Sequence, residues 1–181
     1  LNLVKKVRQF SKVPICLMSY YNPIFCFGEE KFVRQAVSCG VDGIIIPDFP
    51  PEEARPLIKA ANLNNLRVIF FVAPTTSEKR IKLVSKLSKG FIYYVSLTGV
   101  TGPRQKLPLD LANQVRLIKK YTKKPICVGF GVSNSKQIKQ LQSFSDGVIV
   151  GSAIVKKIKE NIFRPDLIKK VSSFVSNLKN V

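Results

Sequence analysis

Short apolar runs that alternate with longer amphipathic stretches constrain the fold of this chain more than any other feature. The runs are continuously apolar, with no polar residue at every second position. Such runs are typical of parallel strands that are covered on both faces. They predict six strands, at residues 13–18, 43–46, 68–72, 91–95, 125–128 and 147–150.

The stretches between these runs have the periodicity of helices, so each predicted strand leads into a helix or a loop and helix. Leu3, Val4, Val7 and Phe10 lie at helical spacing before the first strand, so the chain opens on a helix. Six βα units without an inserted domain predict an α/β barrel or a doubly wound sheet. The other helices are predicted at residues 29–39, 52–61, 77–87, 110–121, 135–142, 154–160 and 165–178.

A weak internal repeat favours the barrel. A Pro-Ile-Cys sequence at residues 14–16 leads through one helix to Asp42-Gly43, and the same sequence at 125–127 leads to Asp146-Gly147. The alternative is that Asp-Gly is simply a common entry into a strand.

Composition excludes several kinds of catalytic and metal site. The chain has no His, which removes Ser-His-Asp triads, Cys-His pairs and His-ligated zinc. No two of its cysteines form a C-x-x-C pair, and reduced, mostly buried thiols in a reducing compartment are expected. The cysteines are Cys16, Cys26, Cys39 and Cys127.

The chain is strongly basic, with 30 Lys and Arg against 11 Asp and Glu and a net charge of +19. Such a charge can indicate nucleic-acid binding. Here the lysines alternate with apolar residues, as on a solvated helix face, and no aromatic residues lie between them to stack on bases. Lys, Asn, Ile and Phe are all abundant, and their codons are rich in A and T. An A/T-biased genome therefore explains the positive charge at least as well as a nucleic-acid ligand does.

Small residues follow the last two predicted strands. Gly129 and Gly131 follow the fifth strand, and Gly151 and Ser152 follow the sixth. Loops of this kind allow backbone amides to approach an anion, and a phosphate site on the last two βα loops recurs in barrels. Tight turns that need glycine for their geometry are the alternative. A third, longer loop of Gly and Thr at residues 96–103 is predicted to be a lid.

The carboxylates give little acid–base chemistry. Asp42 and Asp146 precede strands and are expected to be structural, and most of the others lie at helix starts, where the helix dipole favours anions. Only Asp48 follows a strand on the expected active face. The residues alone therefore predict a phosphate-binding barrel with an apolar pocket and an incomplete set of catalytic groups.

Five segments, in this order, are similar to one family. The whole set resembles the tryptophan synthase alpha chain over essentially the full sequence. The segments are residues 17–25 (LMSYYNPIF), 46–53 (IPDFPPEE), 96–102 (SLTGVTG), 129–133 (GFGVS) and 151–155 (GSAIV).

This resemblance implies a (β/α)8 TIM barrel that cleaves indole-3-glycerol phosphate to indole and glyceraldehyde 3-phosphate, a retro-aldol reaction in tryptophan biosynthesis. It implies no metal and no cofactor in this chain. The partner is a beta chain that carries pyridoxal phosphate, in an alpha2beta2 tetramer, with no nucleic acid and no membrane.

The resemblance also assigns roles to residues. The substrate phosphate site is Gly102, Gly129, Gly131, Gly151 and Ser152, and the indole pocket is Met18, Ile45, Val72, Tyr93 and Phe130. Thr101 is the lid-loop threonine. The beta-chain interface is Asn22, Phe25, Asp48 and Pro50, which changes the interpretation of Asp48 from a base to an interface residue.

The chain departs from the family in two ways. The family's catalytic Glu and Asp lie in a Glu-Leu-Gly-Ile-Pro-Phe-Ser-Asp-Pro-like segment that is absent here, so no catalytic residue is assigned. A barrel of this type has about 250 residues, so the 181-residue chain is interpreted as one TIM-barrel domain, residues 1–181, with six of eight βα units and without the two N-terminal units. Leu97 stands where many members carry Arg.

Two interpretations remain for the chain as it stands. It belongs to an ordinary alpha chain of which only a part is shown, or it is a truncated, non-catalytic partner of the beta chain. Another phosphate-binding barrel enzyme, such as thiamine phosphate synthase or phosphoribosylanthranilate isomerase, is the alternative outside the family. The composition and the absence of a signal peptide suggest the plastid stroma, with an organelle-encoded gene, or the cytoplasm.

Overall fold

The computed structural model describes residues 1–95, 110–129, 131–132 and 134–179. Its helices are α1 (Asn2–Val7), α2 (Tyr21–Phe27), α3 (Glu29–Ser38), α4 (Arg55–Leu63), α5 (Glu78–Leu87), α6 (Leu111–Lys119), α7 (Ser135–Gln142), α8 (Ser152–Lys159) and α9 (Leu167–Lys179). Its strands are β1 (Cys16–Met18), β2 (Gly43–Ile45), β3 (Arg67–Ile69), β4 (Phe71–Val72), β5 (Ile92–Val95), β6 (Ile126–Gly129) and β7 (Gly147–Ile149).

The described residues form two compact units. The first comprises Leu1–Phe71 and Ser77–Ile92, and the second comprises Val72–Thr76 and Tyr93–Val181. A three-stranded sheet of order β1-β2-β3 lies in the first unit, and a four-stranded sheet of order β4-β5-β6-β7 lies largely in the second.

The core of the first unit is made by one face of its sheet and the helices that follow the strands. β1, β2 and β3 are parallel, and Leu17, Ile44 and Val68 are register partners. Ile44 and Val68 are buried, and helix α3 packs on α4, which packs on β3. The apolar strands β2 and β3 suit this packing because their central residues are covered, whereas Cys16 and Met18 at the ends of β1 are exposed.

The second unit repeats this construction. β6 and β7 are parallel, with Val128 opposite Val148. Helix α7 packs on β7, and α9 packs on α7 and α8. The N-terminus of α7 is capped by Asn134, whose Oδ1 accepts a hydrogen bond from the backbone amide of Gln137 at 3.0 Å. This cap explains why α7 begins at the residue that its sequence pattern predicts.

A carboxylate clamp at the start of a strand occurs once in each unit. Asp146 Oδ2 accepts a hydrogen bond from the backbone amide of Ile126 at 2.9 Å, and its Oδ1 accepts one from Lys119 Nζ at 3.0 Å. In the first unit Asp42 Oδ2 accepts from the amide of Ile15 at 2.7 Å and pairs with Arg8. Both aspartates are therefore structural, as the sequence predicts.

A glycine follows each of these aspartates for a steric reason. A Cβ added to Gly43 would lie 2.9 Å from Cys16 Sγ, and one added to Gly147 would lie 2.8 Å from Cys127 Sγ. Each glycine is the register partner of that cysteine on the neighbouring strand. The sequence repeat therefore corresponds to the same Cys–Gly contact in each unit, and it is more than a common way to begin a strand.

The six predicted strands are present, but the third is divided. It forms β3 and β4 with Phe70 between them, because the amide of Phe70 donates to Ser88 Oγ at 3.0 Å. The side chain of Ser88 is fully buried, so this bond satisfies two polar groups inside the core.

Four further differences from the sequence predictions are observed. Helix α2 was not predicted at all, and α4 begins at Arg55 because residues 51–53 form a turn instead of its first turn. Helix α9 begins at Leu167, two residues after Pro165. The cysteines are free, but Cys16 and Cys26 are exposed, so the expectation of mostly buried thiols is wrong for two of the four.

Candidate functional site

Two of the predicted phosphate loops leave neighbouring strands at the same edge of the second sheet. β6 and β7 are parallel, and Gly129 at the end of β6 is the register partner of Ile149 at the end of β7. Gly151 follows Ile149 by two residues. Because parallel strands point the same way, the loops after β6 and β7 begin side by side at the carboxyl edge.

The N-terminus of α8 carries no side-chain cap. Gly151 is the N-cap residue, and Ser152 is the first residue of the helix. The first amides of a helix have no acceptor within the helix, and they carry the positive end of its dipole. A Cβ added to Gly151 would meet no described residue within 4 Å, so no described side chain crowds the residue that precedes these amides. The arrangement suits an anion.

Gly129, at the end of β6, and Gly131, just after it, are each needed for a different geometric reason. A Cβ on Gly129 would lie 2.6 Å from Cε1 and 2.7 Å from the hydroxyl oxygen of Tyr93, so Gly129 leaves room for that ring. Gly131 has φ of 62°, a left-handed conformation that favours glycine. Tyr93 is thereby placed directly against the start of a predicted phosphate loop, and burial raises the pKa of its hydroxyl.

The predicted indole-pocket residues are divided between the two units. Met18 and Ile45 are register partners in the first sheet and share one face of it, with Met18 61% exposed and Ile45 8% exposed. Val72, which is buried, and Tyr93 belong to the second unit. Phe130 lies outside the described residues, as do Thr101, Gly102 and Leu97.

The four predicted interface residues all lie in the first unit. Asn22 and Phe25 are exposed on α2, and Asp48 and Pro50 belong to the loop that follows β2. Asp48 Oδ1 accepts a hydrogen bond from the backbone amide of Tyr21, the first residue of α2, at 2.9 Å. The carboxylate therefore caps a helix that lies 27 residues earlier in the chain, and it joins the two halves of the surface.

Tyr21, to which the sequence motifs assigned no part in the interface, lies at the centre of this surface. The ring of Tyr21 stacks on that of Phe49 with centroids 3.9 Å apart and planes 9° apart, and its hydroxyl donates to Glu29 Oε1 at 3.1 Å. Burial, followed by the neighbouring carboxylates, raises the pKa of Tyr21. Its partners Glu29, Asp48 and Phe49 have no fixed sequence spacing from Tyr21, so no local sequence pattern could have predicted these contacts.

A cavity of about 280 Å3 borders the same loop, with Asp48, Phe49 and Phe70 among its lining residues. Among the described residues, no group of three or more Cys, Asp or Glu side chains has the arrangement of a metal site. No helix in that part of the chain is both long and apolar enough to cross a membrane.

Comparison with known proteins gives a consistent result. The family profile of the tryptophan synthase alpha chain matches residues 1–181. The tryptophan synthase alpha chain of Thermoanaerobacter sp. (strain X514) is 41% identical over 181 residues, which are 100% of this chain and 69% of that protein. That of Geotalea uraniireducens (strain Rf4) is 47% identical over 180 residues, 99% of this chain and 67% of the relative.

Solved structures agree with these relatives. The crystal structure of the tryptophan synthase alpha chain from Legionella pneumophila subsp. pneumophila has a TM-score of 0.89 and 35% identity, covering 99% of this chain and 66% of that one. A structure of the tryptophan synthase a2b2 complex from Pyrococcus furiosus has a TM-score of 0.90 and 35% identity, covering 99% of this chain and 72% of that one.

The chain thus spans about two thirds of the length of the relatives that it matches. The fold class is that of these structures, an α/β TIM barrel that is present here in truncated form. The five motifs and the profile match over the full sequence lead to the same conclusion: this chain belongs to the tryptophan synthase alpha chain family.

Proposed function

We propose that this chain provides the phosphate-binding and partner-binding parts of a tryptophan synthase alpha chain. The reaction is the retro-aldol cleavage of indole-3-glycerol phosphate to indole and glyceraldehyde 3-phosphate, in tryptophan biosynthesis. The observation that carries the proposal is the pairing of Gly129 with Ile149 in register, which brings the loop after β6 beside the N-terminus of α8.

In this proposal the amides at the start of α8 bind the substrate phosphate, and the hydroxyl of Ser152 donates a further hydrogen bond. The dipole of α8 strengthens the attraction for an anion. Gly131 and, outside the described residues, Gly102 complete the cradle. Tyr93 lies against Gly129, where it orients the substrate beside the phosphate. Met18, Ile45, Val72 and Phe130 are the apolar groups for the indole ring.

The acid–base step needs groups that this chain does not provide. Asp48 is the carboxylate that the sequence placed on the expected active face, but its Oδ1 already accepts a hydrogen bond from the amide of Tyr21. We therefore propose that the catalytic Glu and Asp belong to a segment outside this sequence, and that the 181-residue chain alone has no lyase activity. Indole formation by the purified chain, measured with indole-3-glycerol phosphate, would contradict this.

A non-catalytic partner of the beta chain is the second candidate. The intact mass of the natural protein distinguishes the two functions. A mass well above the 20.3 kDa of this chain supports the lyase, with the missing carboxylates in the additional segment. A mass near 20.3 kDa supports the non-catalytic partner.

The proposed partner is the beta chain of tryptophan synthase, in an alpha2beta2 tetramer. The solved structure of the tryptophan synthase a2b2 complex from Pyrococcus furiosus supports this partner. Asn22, Phe25, Asp48 and Pro50 form the proposed contact surface. No cofactor is proposed for this chain, because pyridoxal phosphate belongs to the beta chain.

The proposed compartment is the plastid stroma, with the cytoplasm as the alternative. The plastid proposal rests on the A/T-biased composition, and the relatives described above are bacterial. Free thiols at all four cysteines suit either reducing compartment. Locating the gene in the nuclear, plastid or bacterial genome of the source decides between the two.

Gly151 offers a sharp test of the phosphate site. A Cβ at Gly151 would meet no described residue within 4 Å, so a side chain placed there crowds none of them. Gly151→Asp places a carboxylate in front of the α8 amides and is expected to abolish binding of glycerol phosphate analogues. Gly151→Asn, of the same size without the charge, is the matched control and is expected to retain more of the binding.

Isothermal titration of both variants and the unsubstituted chain measures this difference. Equal affinity of Gly151→Asp and the unsubstituted chain would refute the phosphate assignment. Equal loss in the Asp and Asn variants would show that the added volume, and not the added charge, removes the binding.

A further inference from the structure

Two separate pieces of chain form the proposed beta-chain surface, and they need a fixed relative position. Asn22 and Phe25 lie on α2, whereas Asp48 and Pro50 lie on the loop after β2. α2 has only seven residues and its own N-cap residue, Tyr20, makes no side-chain cap. A helix of this length is not stable by itself in water, so tertiary contacts must hold it in place.

Tyr21 provides those contacts in three directions. Its amide donates to Asp48 Oδ1, its ring stacks on Phe49, and its hydroxyl donates to Glu29 at the start of α3. Its ring also lies 5.8 Å from that of Phe25, one of the proposed contact residues. One side chain therefore connects α2, α3 and the loop after β2.

We infer that Tyr21 is a positioning residue for the partner surface: it holds α2 and the loop after β2 in the one arrangement that the beta chain binds. This inference rests on the proposed function, because it takes the beta chain as the partner. Tyr21 itself is only partly exposed, and Phe49 is 8% exposed, so their effect on the partner passes through the groups they hold.

The cavity beside the loop makes this role specific. Asp48 and Phe49 both line the space of about 280 Å3. Without the Tyr21 ring, Phe49 loses its stacking partner and can shift into this volume, which moves Asp48 away from the amide of residue 21. Phe25 and Asp48 would then no longer keep a fixed position relative to each other.

Affinity for the beta chain of the same source, measured by sedimentation or calorimetry with the full chain, tests the inference. Tyr21→Ala is expected to weaken binding by roughly tenfold or more. Tyr21→Phe keeps the stack and the amide, and it is expected to restore affinity to within about threefold of the unsubstituted chain. Phe163→Ala, at a residue 97% exposed in the other unit, is the matched control and should leave affinity unchanged.

Phe49→Leu is a second variant that keeps the test valid if Tyr21→Ala does not fold. It removes the stacking partner from a buried position, and it is expected to weaken beta-chain binding while glycerol phosphate affinity at α8 stays unchanged. If both Tyr21→Ala and Phe49→Leu bind the beta chain as tightly as the unsubstituted chain, the inference is overturned. If the unsubstituted chain itself does not bind, the proposed partner is wrong, and the inference falls with it.

Discussion

Removal of the Asp146 carboxylate tests the clamp that begins β6. Asp146→Ala deletes the acceptor for the amide of Ile126, at 2.9 Å, and for Lys119 Nζ, at 3.0 Å. Ile126 is fully buried. The variant therefore leaves a backbone amide in the core without its partner, unless the strand end moves to reach water.

The expected loss of stability follows from these two bonds. A hydrogen bond from a buried amide to a charged group contributes about 1.5–3 kcal/mol. The pair with Lys119 is about 40% exposed on both sides, so solvent screening limits it to about 0–1 kcal/mol. Asp146→Ala should therefore cost about 1.5–4 kcal/mol, which lowers Tm by roughly 3–16 °C for a chain of this size.

Lys119→Ala is the matched control, because it removes the exposed pair and leaves the amide bond intact. Its expected cost is below about 1 kcal/mol. Thermal unfolding followed by circular dichroism compares the two variants. If Asp146→Ala is no less stable than Lys119→Ala, the bond to Ile126 does not stabilise the strand and the argument is refuted.

The pH dependence gives a second check on the same residue. Burial raises the pKa of Asp146, but the Ile126 amide and the Lys119 ammonium outweigh it, and the net pKa lies below the usual value. A carboxyl whose pKa is lowered on folding stabilises the fold above its unfolded pKa, about 3.9. The difference between the unsubstituted chain and Asp146→Ala should thus be full above about pH 4 and shrink as the pH falls through the folded pKa.

Two further predictions concern the glycine contacts and the interface. Gly147→Ala should destabilise the second unit by about 1–3 kcal/mol, because the new methyl would lie 2.8 Å from Cys127 Sγ. Adding Cys127→Ala should restore much of this loss, as measured by urea unfolding. If the double variant is no more stable than Gly147→Ala, this contact is not the cause. Asp48→Ala should weaken beta-chain binding more than it weakens phosphate binding, since Asp48 lies in the other unit from Gly151. Equal losses in a beta-chain affinity measurement and a phosphate titration would reject the interface role.

The strands were predictable because their signal is local. Each is a continuous apolar run, and the structure buries Ile44 and Val128 at the centres of β2 and β6, whereas β1 is mostly exposed and β7 is half-buried. The prediction of α7 was correct to the residue, since Asn134 is a cap visible in the sequence. The family was predictable for a similar reason, because five motifs in a fixed order are specific.

The features that were missed depend on distant residues. α2 contains Asn22-Pro23 near its start, a pair typical of turns, and its cap comes from Asp48. The division of the third strand depends on Ser88, which lies 18 residues after Phe70. The exposure of Cys16 and Cys26 is likewise set by what covers them in space, and an apolar sequence context could not show it.

Chemical-shift mapping locates the bound anion and so tests the proposed phosphate site. The amide resonances of the isotopically labelled chain would be followed during titration with glycerol 3-phosphate. The largest saturable shifts are expected at Ser152, Ala153, Gly129 and Gly131, with an affinity that Gly151→Asp abolishes. Saturable shifts confined to other residues, or no shifts at these four, would contradict the proposed site.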